Sequence, residues 1–217
     1  MKAYIISIIF FLSFCALSWG QQDPLAEPYL DKIARDLDPG HSLQLDFDYI
    51  REDLKEKSTV EGEGTLFLQG DKYKLAMEGF IIYFDGEKQY SLNLEIEEVY
   101  VSIPDPDDQE FMFSDPISLL RTYKEEFKYR VIGEASFQGI NATEVQLYPL
   151  ELGGPYALLK LFISPANELK AIQVRHKAGI LYSMIVKTFN KMEKPEDSFF
   201  QFNEKDYPNV DVIELVQ

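Results

Sequence analysis

The sequence predicts an α+β fold built on one long antiparallel β-sheet. Apolar and polar residues alternate with a period of two through most of the chain, which is the pattern of half-buried strands. Turn signals such as Asp85-Gly86 separate the alternating runs, and short strands joined by tight turns form antiparallel meanders. Only two stretches show the three- and four-residue apolar spacing that is typical of a helix.

The N-terminal segment has the features of a cleaved signal peptide. Lys2 supplies a positive charge, residues 4–17 are almost unbroken apolar sequence, and small residues stand at −3 and −1 before Gln21. The apolar run is shorter than the roughly 20 residues that a membrane-spanning helix needs. We therefore predict a signal peptide over residues 1–20 and a single domain over residues 21–217, exported as a soluble protein.

Composition restricts the partners that the chain can have. Its one cysteine, Cys15, lies in the predicted signal peptide, so the mature domain must fold without disulfides. Phe14 stands where a lipobox needs a small residue, so we expect no lipid anchor. The formal charge of −16 disfavours nucleic acid and anionic lipid headgroups as partners. The acidity indicates either simple solubility or attraction towards a basic partner.

The first half of the mature chain predicts one helix followed by a meander. Apolar residues between Pro24 and Leu37 fall on one helical face, and Asp38-Pro39-Gly40 ends the helix. Phe67 departs from the later two-residue alternation, because it is apolar on the otherwise polar face. The predicted strands of this half lie at residues 43–50, 65–69, 73–77, 81–84, 89–94 and 99–103.

The second half predicts another helix and a second series of strands. The helix begins near Asp115, an N-cap residue followed by Pro116, and its apolar stripe runs to Phe127. Strand patterns follow at residues 129–132, 143–150, 157–163, 170–176 and 180–189. Two short helices cannot cover so wide a sheet. The sheet therefore closes into a packed barrel or curls around an apolar concavity; the pattern leaves both open, with a packed core the simpler choice.

The sequence offers few candidates for chemistry. His41 and His176 are far apart in the chain, and no cysteine or suitably spaced carboxylate accompanies either of them. Residues 133–137 do not match a Gly-x-Ser-x-Gly elbow, and Gly62-Glu63-Gly64 lacks the third glycine of a dinucleotide loop. We therefore predict no catalytic residues, no metal and no cofactor, which favours a binding protein over an enzyme.

Several segments, taken in order, resemble the LolA family of outer-membrane lipoprotein carriers. The motifs lie at residues 64–73, 84–90, 98–99, 115–120, 200–202 and 207–215, so the likeness spans essentially the whole mature chain. The resemblance implies an antiparallel sheet curled into an unclosed half β-barrel, with a helical lid over an apolar cavity for acyl chains. It favours the concavity over the packed core.

The resemblance also implies a function. A LolA-like protein is a monomeric, non-enzymatic periplasmic carrier that takes lipoproteins from an inner-membrane exporter complex and passes them to an outer-membrane acceptor. The alternatives are a lipid- or lipoprotein-sensing or receptor protein of the same fold, an enzyme, and a structural adhesin or assembly module. The candidate acyl-chain contacts are Leu45, Phe47, Leu66, Leu68, Leu75, Met77, Tyr90, Leu92, Leu94, Val101, Leu119, Leu120 and Tyr123.

One departure from the family concerns the control of the lid. The family carries an Arg-Pro pair after the second strand, and its arginine holds the lid closed. Here the matching stretch is residues 69–72, which has neither residue, and Gly70 occupies the position of the arginine. Lys72 and Lys74 are the candidate substitutes, although lysine lacks the bidentate geometry of arginine.

Overall fold

The computed structural model describes residues 22–37, 40–103 and 118–215. Its helices are α1 (Glu27–Asp36), α2 (Ser118–Arg121) and α3 (Tyr123–Glu126), and two 3₁₀ turns span Asp197–Phe200 and Glu204–Asp206. Its strands are β1 (Ser42–Asp53), β2 (Ser58–Gln69), β3 (Lys72–Met77), β4 (Phe80–Phe84), β5 (Gln89–Asn93), β6 (Glu98–Ser102), β7 (Phe127–Phe137), β8 (Ile140–Pro149), β9 (Tyr156–Ile163), β10 (Leu169–His176), β11 (Ile180–Met192) and β12 (Asp211–Glu214).

All twelve strands belong to one sheet, in the order β12-β6-β5-β4-β3-β2-β1-β11-β10-β9-β8-β7. Every neighbouring pair is antiparallel except β12 and β6, which run parallel. Within the described residues, the edge strands β7 and β12 do not pair with each other, so the sheet is unclosed. The predicted antiparallel sheet is confirmed, and its open form is consistent with a half-barrel. The start of the second predicted helix, Asp115-Pro116, lies outside the described residues.

The helix face of the sheet is the face on which α1 packs, and it carries the main core. Leu45 pairs with Leu66, which pairs in turn with Leu75, so these three side chains form a row across β1, β2 and β3. Leu30 and Ile33 of α1 are buried in the same apolar cluster. A proline in its first turn starts α1, because proline is well tolerated where the backbone N–H groups lack partners.

The opposite, outer face carries a second apolar layer beneath a C-terminal strap, residues 193–210. The ring of Phe199 meets that of Phe67 edge-on, with centroids 5.1 Å apart. The ring of Phe202 stacks on Tyr90 at 5.8 Å and lies 6.3 Å from Tyr83. The strap therefore explains why Phe67 is apolar on a face whose other β2 residues are polar.

Two further contacts hold the strap in place. The ammonium group of Lys72 lies 3.0 Å from the carboxylate of Asp197, and the hydroxyls of Tyr83 and Tyr207 are hydrogen-bonded at 3.1 Å. After the strap, the chain adds β12 to the edge of the sheet beside β6. The last part of the sequence thus closes the outer face and also extends the sheet.

Glycines in β2 make room for two aromatic rings of β1. A Cβ on Gly64 would lie 2.5 Å from the Phe47 ring, and a Cβ on Gly62 would lie 2.6 Å from the Tyr49 ring. Heavy atoms cannot approach so closely, so only glycine lets these rings lie across the neighbouring strand. The Gly-Glu-Gly sequence is therefore explained by packing on the helix face.

Candidate functional site

Most of the predicted strand contacts lie together on the helix face. The register places Leu43, Leu45 and Phe47 opposite Leu68, Leu66 and Gly64, and β3 continues these rows. Five of the six predicted residues are almost fully buried, whereas Met77 at the end of β3 is half-buried. The predicted residues on this face are Leu45, Phe47, Leu66, Leu68, Leu75 and Met77.

The predicted contacts from the second helix join the same core. Leu120 and Tyr123 are buried in the cluster that α1 covers. The side chain of Leu119, within α2, lies outside the described part of the chain. The Tyr123 hydroxyl donates to Asp31 of α1 at 2.7 Å, and the Lys124 ammonium lies 2.8 Å from the same carboxylate. These two interactions lower the pKa of Asp31 and attach α3 to α1.

Three predicted contacts lie on the wrong face. Ile82 pairs with Leu75 and therefore points to the helix face. Its neighbours Ile81 and Tyr83 point to the outer face, and so do their partners Leu92 and Tyr90. Val101 pairs with Tyr90, so it also points to the outer face. The prediction that Tyr90, Leu92 and Val101 share the inward parity is therefore wrong.

The cause of this error is the composition of β4. All five of its residues are apolar, so alternation cannot indicate which of them point inward. Leu94 lies just after the end of β5 and is 43% exposed, so it is not part of the main core either. Ser91, between Tyr90 and Leu92, pairs with Ile82 and lies on the helix face.

The helix face is apolar well beyond the area that α1 covers. Around the buried centre lies an apolar margin of partly exposed side chains that pack against the core. The margin contains residues from β1, β3, β4, β7, β9 and β11. The margin consists of Tyr49, Met77, Ile82, Phe84, Val131, Tyr156, Tyr182 and Phe189.

A cleft of about 330 Å³ opens beside α1, between that helix and the strands β10 and β11. Its floor is apolar and continuous with the main core, and its rim is charged. None of the predicted contacts lines it, because its residues come from segments that are far apart in the sequence. The floor consists of Ile33, Leu37, Leu169, Val186 and Phe189, and the rim of Lys32, Asp36, Glu168, Lys170, Lys187 and Lys191.

An arginine joins the helices to the sheet, but it comes from α2 and not from the strands. Arg121 donates from Nε to the carbonyl oxygen of Leu37 at 3.1 Å, and from a terminal nitrogen to that of Gly70 at 2.8 Å. Leu37 follows α1, and Gly70 lies in the turn between β2 and β3. One side chain of α2 therefore connects the end of α1 to the sheet.

The two lysines considered as substitutes lie elsewhere. Lys72 pairs with Asp197 of the strap, and the Lys74 ammonium lies over the rings of Tyr83 and Phe199. Both interactions are on the outer face. The resemblance to the family pointed to Gly70, which does take part in the contact between the helices and the sheet. Here, however, the β2–β3 turn supplies the accepting carbonyl oxygen, and the helix supplies the donating arginine.

The described residues contain no group of three or more His, Cys, Asp or Glu side chains that could hold a metal ion. His176 is buried, its Nδ1 accepts the backbone N–H of Ala178, and burial lowers the pKa of the imidazole. His41 is exposed. None of the helices in residues 22–37, 40–103 and 118–215 is long and apolar enough to cross a membrane.

Known structures share this architecture. An uncharacterized conserved protein from Thermus thermophilus matches with a TM-score of 0.55 and 12% identity, covering 88% of this chain and 99% of that one. This likeness shows that the two proteins share a fold. No family model matches the chain, and no curated protein matches it in sequence.

Two further solved structures are similar over most of the chain. One is the LolA superfamily protein NE2245 from Nitrosomonas europaea, with 10% identity, a TM-score of 0.46 and coverage of 84% of this chain and 99% of that one. The other is a putative outer membrane lipoprotein-sorting protein domain from Vibrio parahaemolyticus, with 10% identity, a TM-score of 0.43 and coverage of 80% and 94%.

Proposed function

We propose that this protein is a periplasmic carrier that binds the acyl chains of lipoproteins on the helix face and moves them from the inner to the outer membrane. The observation that supports this most directly is the excess of apolar surface on that face. The margin from Tyr49 to Phe189 leaves apolar side chains partly exposed around α1. An acyl chain is a flexible apolar ligand that such a surface would accept without any catalytic group.

The proposal requires α1 and its neighbours to move. Leu45 and Leu66 are completely buried, so a chain reaches them only if α1 separates from the sheet. Each buried CH₂ contributes about 0.8 kcal/mol, so a full acyl chain would bind very tightly to an open surface. Separating α1 exposes Leu30 and Ile33, which offsets part of that gain and keeps the complex reversible.

Within this proposal, Arg121 controls the opening. Its two backbone hydrogen bonds hold the end of α1 against the β2–β3 turn, and at least one of them must break before α1 can leave the sheet at that end. The side chain is 17% exposed, so these charge-assisted bonds are partly shielded from water. The cleft beside α1 is the place where an acyl chain would first enter.

The proposed partners follow from the cycle. A carrier must receive its cargo from an inner-membrane exporter complex and deliver it to an outer-membrane acceptor. We expect it to be a monomer that presents the helix face first to the exporter and then to the acceptor. The lipoprotein-sorting domain from Vibrio parahaemolyticus has a name that fits this role. The proposed binding needs no covalent bond to be made or broken, so the protein would act without enzymatic activity.

The experiment that tests carriage is release of lipoprotein from membranes. The chain from Gln21 is incubated with inner-membrane vesicles that carry a radiolabelled, acylated lipoprotein, an active exporter and ATP. We expect labelled lipoprotein to leave the vesicles in a one-to-one complex with this protein. The matched control is the same lipoprotein with its acylated cysteine replaced by serine, which the protein should not bind. Retention of all acylated label in the vesicles would contradict carriage.

The same experiment distinguishes the sensing alternative. A sensor or receptor of this fold would bind the isolated acylated lipoprotein but would not extract it from the vesicles. Binding without extraction would therefore favour the sensor over the carrier, and absence of binding would contradict both.

A further inference from the structure

Half of the exposed large apolar side chains in the described residues cluster at one corner of the sheet. The corner comprises the turns at residues 78–79 and 94–97, the opposite end of β6 at Ile103, and β12 with its following residue, so it extends along the full length of the short edge strands. The side chains are between 42% and 55% exposed. They are Phe80, Leu94, Ile96, Ile103, Val212 and Leu215.

Backbone hydrogen bonds join the segments of this corner, and its apolar side chains point to both faces of the sheet: Phe80 pairs with Met77 on the helix face, and Val212 pairs with Val99 on the outer face. The N–H of Leu94 donates to the carbonyl of Gly79 at 2.9 Å, which joins the two turns. The N–H of Asp211 donates to the carbonyl of Glu97 at 2.9 Å, which joins the second turn to β12. The apolar side chains therefore stand on fixed backbone and not on independent loops.

The charges in this corner all have one sign. Segments 78–81, 93–98 and 211–215 contain no Lys or Arg. Their carboxylates interleave with the apolar residues, as in Leu94-Glu95-Ile96-Glu97. The acidic residues of the corner are Glu78, Glu95, Glu97, Glu98, Asp211 and Glu214.

The corner also contains an open strand edge. The N–H groups of Asp211 and Leu215 point to β6, where they donate to the carbonyls of Glu97 and Val101 at 2.9 Å. Successive N–H groups in a strand alternate in direction, so those of Val212 and Glu214 point away from the sheet. Among the described residues, β12 pairs with β6 alone.

We propose that this corner is a docking surface for an extended segment of another protein in which Lys or Arg alternates with apolar residues. Such a segment would add to β12 as the next strand, through the outward backbone groups of Val212 and Glu214. Its apolar residues would lie on the face of Ile213 and Leu215, and its basic residues on the opposite face, beside the carboxylate of Glu214. The proposal stands apart from acyl-chain binding, which uses the helix face.

Charge disfavours a second copy of the same chain as the occupant. A copy would bring its own Asp211 and Glu214 to the shared edge, in addition to a formal charge of −16 on each molecule. Like charges placed opposite each other in a sheet are destabilising, whereas opposite charges stabilise the pair and speed the encounter. The corner therefore disfavours self-association and favours a basic strand.

The test uses defined peptides and two variants. The probe is an acetylated octapeptide of alternating Lys and Val, and its charge-matched control alternates Lys and Ser. Val212→Pro removes one outward N–H while leaving the bonds from Asp211 and Leu215 to β6, and Val212→Thr is its matched control. We expect the Lys-Val peptide to bind, to slow hydrogen exchange of the Val212 and Glu214 amides, and to bind about tenfold more weakly to Val212→Pro.

Retained hydrogen-exchange protection of β6 verifies that the proline variant keeps its fold. Glu214→Lys provides a second route that leaves the backbone intact, and it should also weaken the Lys-Val peptide. Three results would overturn the proposal: equal binding of the Lys-Ser peptide, unchanged binding by both variants, or self-association of the chain through β12. Binding of an acyl-chain probe should be unchanged in every variant, so its loss would be a failure of the acyl-binding proposal and not of this one.

Discussion

At the scale of single residues, Arg121 has the largest influence on the proposed function. It is the one described side chain that bonds both the residue after α1 and the β2–β3 turn. The sequence predicted a contact at this turn but expected the cation to come from Lys72 or Lys74. The arginine could not be identified from sequence, because it is 51 residues away from Gly70 and no periodic pattern marks it.

Replacing Arg121 should loosen α1. Arg121→Met keeps most of the apolar stem but removes both backbone hydrogen bonds, each of which contributes about 1.5–3 kcal/mol when the donor is charged. We expect faster hydrogen exchange in α1 and faster loss of a bound acyl probe. Arg130→Met is the control, since Arg130 is exposed and its hydrogen bonds among the described residues go to Gln146 and Tyr148 of the neighbouring strand. Unchanged exchange in α1 would mean that other contacts hold this helix.

His176 should make the stability of the domain depend on pH. Burial, and secondarily the nearby Lys177 charge, hold the pKa of His176 below its usual value of about 6.5. The unfolded chain therefore binds more protons than the folded one as the pH falls through that value, and the free energy of unfolding should decrease.

The measurement is urea unfolding between pH 7.5 and 5.5. His176→Asn, in which an amide oxygen can accept the Ala178 N–H, should reduce the dependence on pH, whereas His41→Asn at an exposed site should leave it intact. A dependence on pH that is identical in the wild type and in His176→Asn would assign the effect to carboxylates instead.

At the scale of elements, the C-terminal strap determines which residues are available for binding. It buries the outer face over β3, β4 and β5, so apolar residues there serve packing and not ligand contact. Leu92 is fully buried on that face. A strap of irregular backbone has no period, and the one sequence signal for it was the apolar Phe67. Together with the uniformly apolar β4, this is why the parity of Tyr90, Leu92 and Val101 was predicted incorrectly.

Removing a ring from the strap should cost stability but not binding. Phe200 is almost completely buried, and truncating a buried phenylalanine to alanine typically costs about 3–5 kcal/mol. We expect Phe200→Ala to lower the unfolding free energy by that amount, as measured by urea denaturation, with acyl-chain affinity unchanged in the folded fraction. Phe80→Ala, at a ring that is 42% exposed, should cost less than about 1 kcal/mol. Equal costs would show that the strap does not contribute a core.

At the scale of the whole molecule, the sequence predicted which residues form strands far better than which side chains point to each face of the sheet. Eleven of the twelve strands overlap predicted strand segments, because alternation and turn signals are local properties of the chain. The strand β12 was missed, since Asp211–Glu214 is short and both of its apolar residues are at least partly exposed. Which face of each strand points towards α1 depends on pairing between distant segments, and β4 carries no signal for it.

The central claim is that the helix face, and not the outer face, accepts an acyl chain. Met77 and Ala76 are neighbours on β3 that point to opposite faces, since Met77 pairs with Gly64 and Ala76 pairs with Thr65. Both are only partly buried, so a carboxylate at either position can remain hydrated and should be compatible with folding. They form a matched pair for testing the claim.

The measurement is displacement of a fluorescent fatty acid by a diacylated lipopeptide, performed on the chain from Gln21 and on these two variants. We expect saturable one-to-one binding by the wild type and by Ala76→Glu, and loss of binding by Met77→Glu, because an acyl chain on the helix face would have to desolvate the new carboxylate. Absence of saturable binding by the folded wild type, or equal affinity in Met77→Glu and Ala76→Glu, would contradict the claim.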